Sequence, residues 1–98
     1  MKVITQAAQA FVERAGLTPD ALGDRKRYEG YLDEARAVLA FCDCARTEFG
    51  FTWQAIGKAV NRHHSTLIQN MKKNPDGAHI DMYYSLAEDC INNEISSL

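Results

Sequence analysis

The sequence has no long apolar run. No uninterrupted stretch approaches the ~20 residues that span a bilayer, and the opening Met1-Lys2-Val3-Ile4-Thr5-Gln6-Ala7 lacks the apolar core of a signal peptide. A cytoplasmic protein with no membrane partner is the expectation. Cysteine is scarce as well: Cys42, Cys44 and Cys90 cannot all pair with one another and fit no disulfide framework, so reduced thiols are expected. The chain contains no internal repeat, no low-complexity segment, no glycine-rich phosphate loop and no Gly-x-Ser-x-Gly turn. The familiar signatures of nucleotide-binding and hydrolytic enzymes are therefore missing, and no catalytic residue is assigned. A basic excess is missing too, because the formal net charge is −2, unlike that of a generic nucleic-acid binder. A length of 98 residues is enough for one domain around a single core.

Charge is unevenly placed. Between Phe49 and Pro75 the only charged residues are Lys58, Arg62, Lys72 and Lys73, all basic. From Asp76 to Leu98 there are Asp76, Asp81, Glu88, Asp89 and Glu94, with no lysine or arginine. A basic segment followed by an acidic one leans toward an anionic partner for the first, although a charged face is commonly only a solvated one.

Apolar residues recur at helical spacing almost throughout and no period-two stretch stands out, which predicts an all-α fold. Ile4, Ala8, Phe11 and Ala15 form one stripe of a helix near residues 3–15, with Gly16 placed to end it in a left-handed cap. Thr18-Pro19-Asp20 can start a short turn of helix that Gly23 closes. Tyr28, Tyr31, Leu32, Ala35, Val38, Leu39, Cys42 and Ala45 predict the longest helix over residues 28–48. Thr52 can cap a short helix carrying Trp53, Ile56, Gly57 and Val60 on one side, Asn61 and Arg62 break it, and Leu67, Ile68 and Met71 supply the buried side of the next helix. Two short helices joined by a tight turn are a helix-turn-helix candidate. Asn74-Pro75-Asp76-Gly77 is a stop, and Ile80, Tyr83, Tyr84, Ala87, Ile91 and Ile95 define a final amphipathic helix.

Three chemistries compete for Arg62-His63-His64-Ser65-Thr66. Metal binding is disfavoured because adjacent histidines point about 100° apart on a helix, and Cys42-Asp43-Cys44 has the wrong spacing for a zinc knuckle. Catalysis is disfavoured because Ser65 and His64, as neighbours on a helix, do not face each other. No cofactor or metal is therefore expected. Duplex DNA uses more of the residues at once: a wheel centred on Leu67, Ile68 and Met71 puts Ser65, Gln69 and Lys73 opposite the core, flanked by Thr66 and Lys72. Any surface helix can carry serine, glutamine and lysine, so this placement alone does not decide.

The run Ile56-Gly57-Lys58-Ala59-Val60-Asn61-Arg62-His63-His64-Ser65-Thr66-Leu67 resembles the signature of the C-terminal DNA-binding domain of the bacterial replication initiator DnaA. There an Ile-Gly-Arg-Ala-Phe helix precedes Gly-Gly-Arg-Asp-His-Thr-Thr-Val. Phe11-Val12-Glu13-Arg14-Ala15-Gly16-Leu17-Thr18-Pro19-Asp20-Ala21-Leu22 resembles that domain's opening helix and its Gly-Leu-Ser-Pro-Glu-Asp-Leu continuation, followed in both by a basic cluster, here Arg25-Lys26-Arg27. Arg36 falls where the family has an arginine before the apolar stripe of its long helix. The likeness covers roughly residues 4–73.

The resemblance implies a compact helical bundle of the Trp-repressor type that binds double-stranded DNA at a short asymmetric site. It places a DnaA-like domain over residues 1–75 and leaves residues 76–98 as an extra acidic C-terminal amphipathic helix packed on it. It implies base-reading roles for His63, His64 and Ser65, joined by Gln69 from the wheel, and a phosphate contact for Thr66. Lys58 and Arg62 would lie beside the DNA backbone, with Lys72, Lys73 and Arg36 as further backbone contacts, and Arg25 or Arg27 would enter the minor groove. His64 sits near the core-facing side of the wheel, so a buried, hydrogen-bonded His64 is the alternative to its base-reading role.

Departures from the family pattern also carry meaning. His63 stands where the family has an aspartate: a carboxylate accepts from the cytosine amino group, whereas an imidazole can donate to guanine or, when charged, to phosphate. One glycine is missing from the turn, about two residues are added ahead of Thr52, and Asp33 and Glu34 precede Arg36 where the family is basic. Nothing resembles the initiator's ATPase domain. The expectation is a stand-alone DNA-binding protein regulating replication or transcription. Its rival is an interaction protein that keeps the fold and binds a protein partner, with the C-terminal helix free to self-associate or hold that partner.

Overall fold

Stripes of apolar residues at intervals of three and four become helices that turn those stripes toward one core. The computed structural model describes residues 2–17, 32–73 and 81–97. It contains α1 (Lys2–Arg14), α2 (Leu32–Thr47), α3 (Trp53–Ala59), α4 (His64–Lys73) and α5 (Asp81–Ser96), with no strand among the described residues, so the fold is all-α. The Thr18–Gly23 turn, the Arg25–Arg27 cluster, the first residues of the expected long helix and the Asn74–Gly77 stop lie outside the described residues.

α1 buries Ile4, Ala7, Ala8, Phe11 and Val12. It ends on Gly16, whose φ of 72° is the left-handed conformation a residue without Cβ adopts freely. Gly16 N–H then donates to Glu13 O at 3.2 Å and Leu17 N–H to Val12 O at 3.0 Å, satisfying carbonyls that the helix end would leave open. α2 is buried along much of its length from Ala37 to Ala45, with Phe41, Cys42 and Cys44 sealed inside. Phe41 meets Phe11 with ring centroids 5.2 Å apart, and Tyr83 of α5 approaches Phe11 edge-on at 6.4 Å. One aromatic cluster thus joins α1, α2 and α5.

α5 contributes Ala87, Cys90 and Ile91 to the same core. Ile95, expected on the same stripe, is 40% exposed, because the helix runs on past the packed region in its last turn. Tyr84 Oη donates to Glu48 Oε1 at 3.0 Å, tying α5 to the segment that follows α2. Burial, then this hydrogen bond, raises the pKa of the phenol. α5 packs on α1 and α2, and its backbone makes no close approach to that of α3 or α4. No helix among the described residues is long and apolar enough to cross a membrane.

All three cysteines are free thiols in the core. Burial, followed by the nearby charges of Glu88, Glu48 and Asp43, pushes the Cys44 thiol up to about 12, so it stays protonated and unreactive near neutral pH. Desolvation raises Cys42 and Cys90 in the same direction. Native protein at pH 8 should therefore resist alkylation at all three positions and become fully labelled in denaturant, as mass spectrometry would read. Phe11→Ala empties the centre of the aromatic cluster and should cost about 3–5 kcal/mol in urea unfolding.

Candidate nucleic-acid interface

The corner between α3 and α4 is built from the end of one helix and the start of the next. Thr52 opens α3: its φ and ψ of −72° and 153° are extended, and its side-chain oxygen accepts the Ala55 N–H at 3.1 Å, an N-cap that satisfies one otherwise open donor. Ile56 and Val60 point into the core, and Trp53 is half-buried with the Arg46 guanidinium 5.8 Å from its ring centroid. α3 closes with the pattern of bonds seen at the end of α1. Asn61 N–H donates to Lys58 O at 3.4 Å and Arg62 N–H to Gly57 O at 2.8 Å.

The left-handed residue of this cap is Asn61, at φ 57°. Asparagine is among the few side chains that accept that conformation. The turn then folds back over Gly57 so closely that a Cβ there would lie 2.5 Å from Arg62 O and 3.3 Å from His64 N. Only a hydrogen fits. Arg62 Nη1 donates to Val60 O at 2.7 Å, so its guanidinium braces the turn it belongs to.

α4 begins at His64, and His63 is the residue before it. His63 Nδ1 accepts the Ser65 N–H at 3.2 Å, taking the place an N-cap side chain takes. The His63 and His64 rings stack with centroids 4.4 Å apart and an interplanar angle of 25°. Leu67 is fully buried and anchors α4, whereas Ile68, expected on the buried side, is only half-buried. On the opposite side Ser65, Gln69 and Lys72 are exposed at intervals of four and three, and Thr66 is half-buried beside them.

Of the residues expected to form the site, Lys58, Arg62, His63 and His64 come together around one open hollow of about 430 Å³ at the α3–α4 corner. Lys58 and His63 are exposed, and Arg62 and His64 are half-buried. Ser65, Gln69 and Lys72 continue from it along α4. Lys73 and Arg36 lie in α4 and α2, with side chains outside the described set; Arg25 and Arg27 lie outside the described residues. Gln54 and Asn61 also line the hollow, and the sequence reading missed both. For Gln54 the spacing offered a signal, since it lies four residues before Lys58 on the same side of α3, whereas Asn61 reaches the hollow through the left-handed turn that follows the helix.

The hollow and the exposed row carry cationic and hydrogen-bonding groups and no carboxylate. The acids of α5 sit on a helix whose backbone packs on α1 and α2 and does not closely approach α3 or α4. Among the described residues that line the hollow and the exposed row, the only formally charged side chains are the basic Lys58, Arg62 and Lys72. Among the described residues no three histidine, cysteine, aspartate or glutamate side chains gather as a metal site would require. The chain matches no protein-family model, no curated protein and no solved structure.

Gly57→Ala should destabilise by about 1–3 kcal/mol, the usual cost of forcing volume into a packed contact. Asn61→Gly should be neutral or slightly stabilising, whereas Asn61→Val should cost about 1–2 kcal/mol through left-handed strain. Urea midpoints at unchanged slope would check the three together.

Proposed function

We propose that this chain is a sequence-specific duplex DNA-binding protein, a helix-turn-helix unit similar to the DNA-binding domain of DnaA. In this reading it regulates replication initiation or transcription rather than catalysing a reaction. α4 enters the major groove, which is wide enough to admit a helix. Its exposed row of Ser65 and Gln69 meets base edges, and Lys72 meets phosphate. At the α3–α4 corner Lys58 and Arg62 lie beside the sugar-phosphate backbone, and His63, on the α4 side of the hollow, faces the base edges with Ser65 and Gln69. Arg25 or Arg27 reaches the adjacent minor groove.

The observation that carries this reading is the combination of an acid-free α3–α4 face with a row of short polar side chains along the outer side of α4. A merely solvated helix has no need of basic residues on both sides of a tight, glycine-dependent corner. The resemblance of Ile56 to Leu67 to the DnaA signature supports the same conclusion. Asn61 in the left-handed cap also makes sense of the missing glycine, because asparagine can hold the conformation that position needs.

The deciding experiment is selection of binding sites from a random duplex pool with the full chain. An enriched motif is expected, and failure to retain any duplex at moderate salt would transfer support to the protein-partner reading, for which the acidic α5 is the favouring feature. If Lys58, Arg62, Lys72 and Lys73 each neutralise one phosphate, log affinity should fall against log salt with a slope of roughly −3 to −4. Ser65→Ala should relax preference at one base position by about 1–3 kcal/mol, while Lys72→Ala should weaken all sequences alike.

A further inference from the structure

One bond at the start of α4 decides what His63 can offer a ligand. Its Nδ1 accepts the Ser65 backbone N–H at 3.2 Å. A ring nitrogen in that role carries no hydrogen, so the neutral imidazole holds its hydrogen on Nε2. The other face of the constraint is the ring of His64, stacked at 4.4 Å, which holds the plane of His63 as the capping bond holds its tautomer. His63 is exposed, and its Nε2 has no hydrogen-bond partner among the described residues.

We propose that His63 is a fixed donor that selects guanine and rejects cytosine at the base pair facing the start of α4, a specificity that rests on the duplex-DNA reading above. In the major groove guanine offers two acceptors, N7 and O6, while cytosine offers the N4 amino donor. Adenine sets a donor beside its acceptor, and thymine sets a methyl group beside its own. A side chain restricted to Nε2–H therefore matches guanine best and meets cytosine donor to donor. Turning the ring to present an acceptor would leave the Ser65 N–H open, so the fold opposes the alternative readout. The cap and the base contact use opposite nitrogens of one ring, and each dictates the role of the other.

His63→Asp isolates the effect. Aspartate is a strong N-cap and keeps the acceptor for the first turn, but it presents only acceptors outward. Selection from a random duplex pool with wild type and with His63→Asp should exchange guanine for cytosine at one position on the same strand, by roughly tenfold in relative enrichment. All other positions should stay as they were, and the melting temperature should change little. Unchanged enrichment at every position, or simple loss of preference at one position without exchange, would overturn the assignment. A long-range 1H–15N spectrum of the free labelled protein, with His63→Asn to identify the signals, tests the premise without DNA. It should give the Nε2–H tautomer for His63, and an Nδ1–H tautomer or an average of the two would overturn the proposal on structural grounds alone. Wild type enriching no motif would remove the DNA reading and the base preference with it, while the spectrum would still report separately on the capping bond.

Discussion

The backbone of α3 and the carbonyl of Arg62 meet at Gly57 with space for a hydrogen and nothing larger. Most of the candidate interface follows from that approach. Because the contact is backbone on backbone, it cannot be relieved by rotating a side chain, and it sets where the chain re-enters a helix at His64. The left-handed Asn61 and the paired bonds that close α3 hold the turn in the one arrangement that satisfies it. Leu67, fully buried one turn into α4, fixes the rotation of that helix about its own axis. Once the start and the rotation of α4 are set, so is the outward direction of Ser65, Gln69 and Lys72.

The remaining helices support the interface as well as shaping its charge: α3 packs on α1 and α2, α4 packs on α2, and Ile56, Val60 and Leu67 belong to the same core as Phe11, Phe41 and Ile91. α1, α2 and α5 share the aromatic and small-residue core around Phe11, Phe41 and Ile91. Packing α5 there carries Glu88, Asp89 and Glu94 to helices other than α3 and α4. Exposed charges farther apart than about a Debye length, roughly 8 Å at physiological ionic strength, are largely screened from one another. The same arrangement places the Tyr84–Glu48 hydrogen bond and the buried cysteines in the α1–α2–α5 part of the molecule.

Much of the fold was legible because helix formation and capping are local. The stripes at Ile4, Ala8 and Phe11 and at Val38, Cys42 and Ala45 are buried as their spacing predicts, Gly16 takes its left-handed cap, and Thr52 caps α3. The extent of burial along a stripe was less legible. Ile95 keeps the period of α5 yet is exposed in the last turn, and Ile68, midway along α4, is half-buried beside the fully buried Leu67, because how much of a stripe is covered depends on the helices packed against it. Within the site, the basic residues could be read in one dimension. The cap at His63 could not, since histidine is not among the usual N-cap residues. Gln54 and Asn61 carry no charge; Gln54 lies four residues before Lys58 on one side of α3, whereas Asn61 is brought in by the left-handed turn that ends that helix.

By itself the amino-acid sequence determined which segments are helical, which of their sides are apolar, and that the stretch from Phe49 to Pro75 holds no acid, because each of these depends on residues within a turn or two of one another. Tertiary structure decided that Lys58, Arg62 and the two histidines surround one hollow, that the acids of α5 face elsewhere, and which nitrogen of His63 is spent on the protein. Those outcomes depend on the angle between two helices, and that angle is set where Gly57 lets a neighbouring carbonyl come close.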